Sequence, residues 1–201
     1  MSDLKILYLI PARGGSKGLI NKNIKKLAGK PLIYYSIKSA LEVADSKDIC
    51  ISTDSIEIKD TAEKFGIVVP FLRPNEFSSD SATTEQVILH ALEFYKTKGI
   101  HYDLVVLLQP TSPLRKGHHI KEALSLMKPN VELIVSVKET DSNPYYVLFQ
   151  ENNFGVLEKS KKGVFTRRQD CPIVYELNGA IYVIRAREFI EKGYQNLKMV
   201  K

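Results

Sequence analysis

Apolar positions along the chain fall into two periods that take turns. Leu4-Lys-Ile-Leu-Tyr-Leu-Ile10 is almost continuously apolar, the pattern of a strand buried on both faces. Pro31 to Leu41 shows helical spacing, with Pro31 expected as the first helical residue. Ile49 to Thr53 reads as a second strand. Asp54 or Ser55 then caps a helix that runs to Phe65 and stops at Gly66. Ile67-Val-Val69 predicts a third strand, ended by Pro70. Between residues 83 and 98, Val87, Ile88, Ala91, Leu92 and Tyr95 form one helical stripe. Leu104 to Leu108 repeats the buried-strand signature, Ile120 to Met127 is a further helix, and Leu133 to Val137 closes the regular part. Strands alternating with helices predict an α/β fold: a mostly parallel, Rossmann-like sheet flanked by helices, with right-handed crossovers.

After Lys138 the pattern changes. Tyr145–Gln150 and Val156–Lys159 flank Asn152-Asn-Phe-Gly155 and read as a hairpin, and Ala180–Ile184 returns to a buried strand. Residues 138–177 read as a β-rich insertion within a single domain of residues 1–201, not as a separate domain. No internal repeat or low-complexity segment interrupts it.

Composition narrows the class. A chain of 201 residues suffices for one domain with a sizeable core. With 44% hydrophobic and 26% charged residues, disorder, collagen and coiled coil are excluded as overall descriptions. No apolar run approaches the roughly 20 residues that cross a bilayer. Met1-Ser2-Asp3 lacks a basic region and cleavage site, so a cytoplasmic location is expected. Two cysteines, Cys50 and Cys171, make no disulfide framework and suit a reducing compartment. The formal charge of +6 suits an anionic partner: nucleic acid, membrane or a phosphorylated small molecule. No helix-turn-helix, RNA-binding or zinc pattern supports the first.

The sharpest chemistry lies in Ile10-Pro-Ala-Arg-Gly-Gly-Ser-Lys-Gly18, continued by Asn21-Lys-Asn23 and Gly29-Lys-Pro-Leu32. This loop leaves the first strand at its carboxyl end, where open α/β sheets bind ligands. Its glycines let backbone amides approach phosphate, and Arg13, Lys17 and Lys22 supply charge. Neither Walker A nor the dinucleotide fingerprint fits it. A solvated basic loop is the competing reading; Pro-Ala-Arg in front and Asn-Lys-Asn behind argue against it. His118 and His119 are adjacent with no third ligand nearby and read as surface residues at a helix start.

Further motifs follow in order: Ile51-Ser-Thr-Asp54, Leu72-Arg-Pro74, Ser79-Asp-Ser-Ala-Thr-Thr84, Leu107-Leu-Gln-Pro-Thr-Ser-Pro-Leu-Arg115, Arg167-Arg-Gln-Asp170 and Asn178-Gly-Ala-Ile-Tyr182. Together with the first loop they resemble the CMP-sialic acid synthetases, the acylneuraminate cytidylyltransferases, over nearly the whole chain to about residue 184. The resemblance implies a nucleotidyltransferase (GT-A-like) fold with the β-rich segment as its dimerisation excursion. It also implies an enzyme that transfers CMP from CTP to the anomeric hydroxyl of a nonulosonic acid and releases pyrophosphate. Such chemistry is in-line transfer, in which the protein orients two anions and stabilises charge on phosphate oxygens.

By the same resemblance Arg13 and Lys17 are the catalytic candidates, holding the triphosphate with Lys22 and Asn23 on a loop that includes Ala12 and Gly14. Arg73, Ala82 and Thr84 are expected at the base. The competing readings are a surface arginine after a strand and a helix cap at Ser79–Thr84, with Glu85 or Gln86 completing a capping box. Gln109, Thr111, Ser112 and Tyr182 are expected at the sugar, although two prolines also suit a rigid connector. Arg168 is expected to reach across a homodimer and bind the sugar's carboxylate bidentately; a solvated basic turn is the alternative.

Two departures bear on the sugar. Asn143-Pro-Tyr-Tyr146 stands where better-known sialic acid enzymes carry His-Pro-x-Lys, and Glu176 stands where some relatives carry Arg. Sialic acid and relatives such as legionaminic acid therefore both stay open. A third departure concerns the metal. Mg²⁺ is expected from the family, whose acidic Ile-Asp-Ile-Asp-like strand lies beyond the equivalent of Lys201. The chain has no Asp-x-Asp, and neither Asp54 nor Asp80 matches a family metal ligand. Leu197–Lys201 reads as an interrupted strand, so a shortened chain and a chain that has lost competence are both expected possibilities. The alternatives to the leading reading are a CMP-KDO synthetase and a truncated, inactive CTP-binding paralogue. A glycosyltransferase would normally show Asp-x-Asp.

Overall fold

A computed structural model describes residues 4–15 and 18–201. The first apolar run becomes β1 (Ile6–Pro11), with Leu7 to Ile10 buried on both faces. A short hairpin of β2 (Lys26–Leu27) and β3 (Lys30–Pro31) follows, then α1 (Leu32–Leu41), β4 (Ile49–Ser52) and α2 (Ile56–Glu63). Next come α3 (Thr84–Thr97), β5 (Leu104–Leu107), α4 (Gly117–Ser125) and β6 (Leu133–Glu139). A second hairpin, β7 (Phe149–Glu151) and β8 (Leu157–Lys159), precedes β9 (Tyr175–Arg185), α5 (Ala186–Lys192) and β10 (Met199–Val200).

The main sheet has the order β10-β6-β9-β5-β1-β4. β1 runs parallel to β4, with Ile10 opposite Ile51, and parallel to β5, with Leu9 opposite Leu107. β10 is parallel to β6, and β9 is antiparallel to β5. The fold is thus α/β with a mostly parallel central sheet. Side-chain alternation along the strands divides the core. Tyr8, Ile10, Ile51 and Val106 share one cluster with Ile33, Ile37 and Ala40 of α1, Ile58 and Ala62 of α2, and Ile120 of α4. Leu7, Leu9, Val105 and Leu107 are buried on the other face, where α3 packs along β1 and β4. Each fully buried side chain of this kind stabilises the fold by about 1.5–3 kcal/mol.

Local expectations are narrowed at two helix caps and shift elsewhere. Ser55, not Asp54, caps α2: its hydroxyl accepts from the Ile58 N–H. Thr83 caps α3 and forms a capping box with Gln86. Pro31 precedes α1 as its N-cap with an extended backbone. Ile67–Val69 forms no strand. The three residues are too few before Pro70, which cannot donate to a ladder, and Val68 is left 78% exposed. The sheet edge is touched instead by a single parallel bridge between Thr53 and Leu72.

The chain divides into two compact units, residues 1–136 with 179–201, and residues 137–178. The bounds of the second lie within one residue of the β-rich segment read at 138–177. Within it, Asn143 is buried and ties two segments: its Oδ1 accepts from the Tyr145 N–H, and its Nδ2 donates to the Pro172 carbonyl. In the β7–β8 hairpin, the Asn152 carboxamide oxygen accepts from the N–H groups of Phe154 and Val156, and Gly155 takes the left-handed conformation that the turn requires. No described helix is long and apolar enough to cross a membrane.

Candidate active site

β1, β4 and β5 run in one direction, so their carboxyl ends bring three loops together. The loop after β1 is held from below. The Ala12 N–H donates to the Ser52 carbonyl at 2.9 Å, and the Gly14 N–H donates to Asp54 Oδ1 at 2.8 Å. Gly14 is needed here for closeness, because a Cβ at that position would lie 3.1 Å from the Ser55 Cβ. Asn23 is buried and its Nδ2 donates to the Arg13 carbonyl at 2.9 Å. Both Asn23 and Ala12 thus shape the loop from beneath. Lys22 is half-buried in a short helical turn beside Asn23. Lys17 lies outside the described residues.

Arg13 turns toward the segment before α3. Its Nη2 is 3.1 Å from Asp80 Oδ1, and its Nη1 donates to the Ser79 carbonyl at 3.1 Å. Arg73 is buried behind it. The Arg73 Nη2 donates to the Ser52 carbonyl at 2.7 Å and Nη1 to the Phe77 carbonyl at 3.2 Å, while its Nε has no protein partner. Burial pulls the Arg73 pKa down; Asp54 supports the charge and Arg13 opposes it. Two guanidinium groups close enough to oppose each other mark a place of positive potential. A pocket of about 240 Å³ opens between them, lined by Arg13, Arg73, Phe77, Asp80, Ala82 and Thr84, among others.

A second pocket of about 290 Å³ lies alongside, lined by Glu85, Gln109, Tyr182, Tyr194 and Gln195 over a floor that includes Ile88. Thr83 and Thr84 line both pockets. One hollow is therefore polar and cationic, the other mixed, and they share a wall. Thr111 is exposed and Ser112 half-buried within the turn after Gln109; neither is among the residues that line the two pockets. Arg168 belongs to the 137–178 unit, where it is exposed and ion-paired with Asp141. Glu176, in the same unit, is 3.2 Å from Lys138.

The sequence reading did not assign Asp54 to the loop, Arg115 to the Gln109 turn, or Glu85, Tyr194 and Gln195 to a pocket. Arg115 closes a motif that was visible, and that spacing was its only signal. His118 and His119 are exposed at the start of α4, where His119 Nδ1 accepts from the Lys116 N–H, as expected of surface residues. Among the described residues, no three His, Cys, Asp or Glu side chains gather as a metal site. Asp54 is engaged by Gly14 and Asp80 by Arg13, so the carboxylates present do not fit a protein-held cation.

Comparison with known proteins identifies the family. Residues 7–198 match the cytidylyltransferase family. A CMP-N,N'-diacetyllegionaminic acid synthase of Legionella pneumophila is 36% identical over 94% of this chain and 81% of its own length. An N-acylneuraminate cytidylyltransferase of Streptococcus agalactiae is 37% identical over 95% of this chain, which spans 46% of that protein. Among solved structures, a CMP:2-keto-3-deoxy-manno-octonic acid synthetase complexed with CTP has a TM-score of 0.69 at 19% identity, covering 93% of this chain and 78% of the other. That likeness concerns the fold.

Proposed function

This chain belongs to the cytidylyltransferase family, and we propose that it transfers CMP from CTP to the anomeric hydroxyl of a nonulosonic acid, releasing pyrophosphate. One observation carries the reading: two pockets share the Thr83–Thr84 wall at the carboxyl ends of β1 and β5, one cationic and one mixed. The cationic pocket suits a nucleotide, with Arg73 the candidate for the base and Arg13 for the triphosphate; Lys17 and Lys22, from the same stretch of sequence, are further candidates for the triphosphate. The mixed pocket suits a sugar acid, with Gln109 and Tyr182 toward its hydroxyls. Relatives named for legionaminic, N-acylneuraminic and pseudaminic acids, at 33–37% identity, support the nonulosonic class.

The chemistry asked of the protein is positioning and charge stabilisation. The anomeric oxygen attacks the α-phosphorus, the bond from that phosphorus to the β-phosphate bridging oxygen breaks, and pyrophosphate carries the electron pair away. The hydroxyl proton leaves to solvent. Arg13 and Lys22 offer donors that strengthen as charge spreads over the leaving phosphates. Mg²⁺ accompanies the triphosphate in this proposal, and no step is assigned to it because the described carboxylates do not fit it. Detection of a CMP-sugar by mass spectrometry, after incubation with CTP and a nonulosonic acid, tests the reading.

The 137–178 unit supports a homodimer. It leaves Val164 98% and Phe154 90% exposed, together with Leu157 and Ile173, apolar side chains that an interface would cover. Arg168 of one copy is then the candidate for the carboxylate in the other copy's sugar pocket. A cytoplasmic location fits the two free thiols.

A further inference from the structure

Arg115 is 6% exposed at the end of the turn that begins with Gln109. A guanidinium this deep normally meets a carboxylate. Here its acceptors are neutral and sit on three separate segments. Nη1 donates to the carbonyls of Gln109 at 3.2 Å and Ala180 at 2.6 Å. Nη2 donates to Ser36 Oγ at 2.6 Å, and Nε donates to Ser39 Oγ at 3.3 Å. Burial depresses its pKa. The fork of one side chain thus ties α1, the turn after β5 and the backbone of β9. An ammonium group could reach one of these acceptors but could not present the same planar set of donors.

The side chain of Gln109 is placed by a second device. Gly179 has φ +70°, and a Cβ there would lie 3.0 Å from Gln109 Oε1. The Gln109 carboxamide therefore rests close against the bare Cα, and a methyl group there would press on it. Gln109 lines the mixed pocket, whereas neither Arg115 nor Gly179 is among its lining residues.

We propose that Arg115 is a positioning residue for the sugar half of the reaction, fixing the Gln109 main chain against β9 while Gly179 seats its amide. The inference rests on the reading of the mixed pocket as the sugar site. Its test uses the full chain and the variants Arg115→Lys and Gly179→Ala, each assayed on folded protein with both substrates varied. The expected result is a rise in KM for the sugar acid on the order of tenfold in both variants, as for a small misplacement of an orienting group, with the KM for CTP within about twofold. An unchanged sugar KM in both variants overturns the proposal, as does an equal rise in both constants. If Arg115→Lys does not accumulate as folded protein, Gly179→Ala decides alone. The side-chain amide resonance of Gln109, identified by its loss in Gln109→Glu, gives a readout independent of turnover. It is expected to move in Gly179→Ala, and a resonance that stays in place overturns the inference even if no sugar acid is turned over. Absence of turnover in the unaltered chain would count against the proposed function instead.

Discussion

Arg13 Nη2 lies 3.1 Å from Asp80 Oδ1, so the cation best placed to meet a triphosphate already holds a carboxylate across the pocket. Both groups are partly exposed, and a pair of this kind contributes only about 0–1 kcal/mol to stability. On the proposed function its consequence is catalytic: a triphosphate bound there would share Arg13 with Asp80. Arg13→Ala is expected to lower CTP turnover on the order of a hundredfold, the loss typical of one charge-stabilising donor. Asp80→Asn is expected to lower the KM for CTP two- to threefold, roughly the effect of removing one nearby like charge in a solvated site, with little change in melting temperature. Steady-state kinetics of the two variants check both statements.

Arg73 should report stability and base choice together. Its two charge-assisted hydrogen bonds to the Ser52 and Phe77 carbonyls hold the segment before α3 against β4. Arg73→Ala is expected to cost about 2–3 kcal/mol in denaturant unfolding, because hydrogen bonds to charged groups are the stronger class. It should also weaken discrimination between CTP and UTP. Loss of stability with discrimination intact would leave Arg73 a purely structural residue.

Alkaline pH should unfold the protein from within the Cys50 cluster. Burial pushes the Cys50 thiol up to about 12, and it raises Tyr95 and Tyr102 as well, with Asp48 adding to the Tyr102 shift to about 12. An acid whose folded pKa lies above its unfolded value favours the folded state fully below the unfolded value, and that contribution is lost as pH rises through the folded one. For Cys50 the window runs from about 9 to about 12. Arg73 and Arg115, both depressed by burial, act in the opposite direction, while Tyr8, Tyr182 and Tyr194, raised by burial, act with the cluster. The melting temperature is expected to fall steadily across that window. At pH 8 a thiol reagent should titrate the half-buried Cys171 and spare Cys50 until the chain is denatured.

Self-association should depend on the 137–178 unit. Light scattering is expected to give twice the 22.7 kDa chain mass, and Val164→Asp with Phe154→Asp is expected to shift the population toward monomer. A dimer that survives both substitutions would place the interface elsewhere.

The strands were legible in the sequence because the buried ones are nearly continuous apolar runs, as in Leu4–Ile10 and Leu104–Leu108. The loop after β1 was legible for a different reason: its residue types are chemically unusual and lie close together. Asp54 and Ser55 were equal candidates for the α2 cap; Ser55 satisfies the helix, leaving Asp54 to meet Gly14 forty positions back. The role of Arg115 is invisible in its motif, since its partners Ser36 and Ala180 are 79 and 65 positions away. Ile67–Val69 failed because three β-branched residues carry propensity but no partner strand. What sequence lacked in each case was the pairing made by tertiary contact.

The most direct test is pyrophosphate release by this chain with CTP, Mg²⁺ and, in turn, sialic, legionaminic, pseudaminic and KDO acids. Release with one of the three nonulosonic acids, and little with KDO, is the predicted result. Tight CTP binding without release for any sugar acid would contradict the account and favour an inactive CTP-binding protein, and release with KDO alone would contradict its choice of substrate.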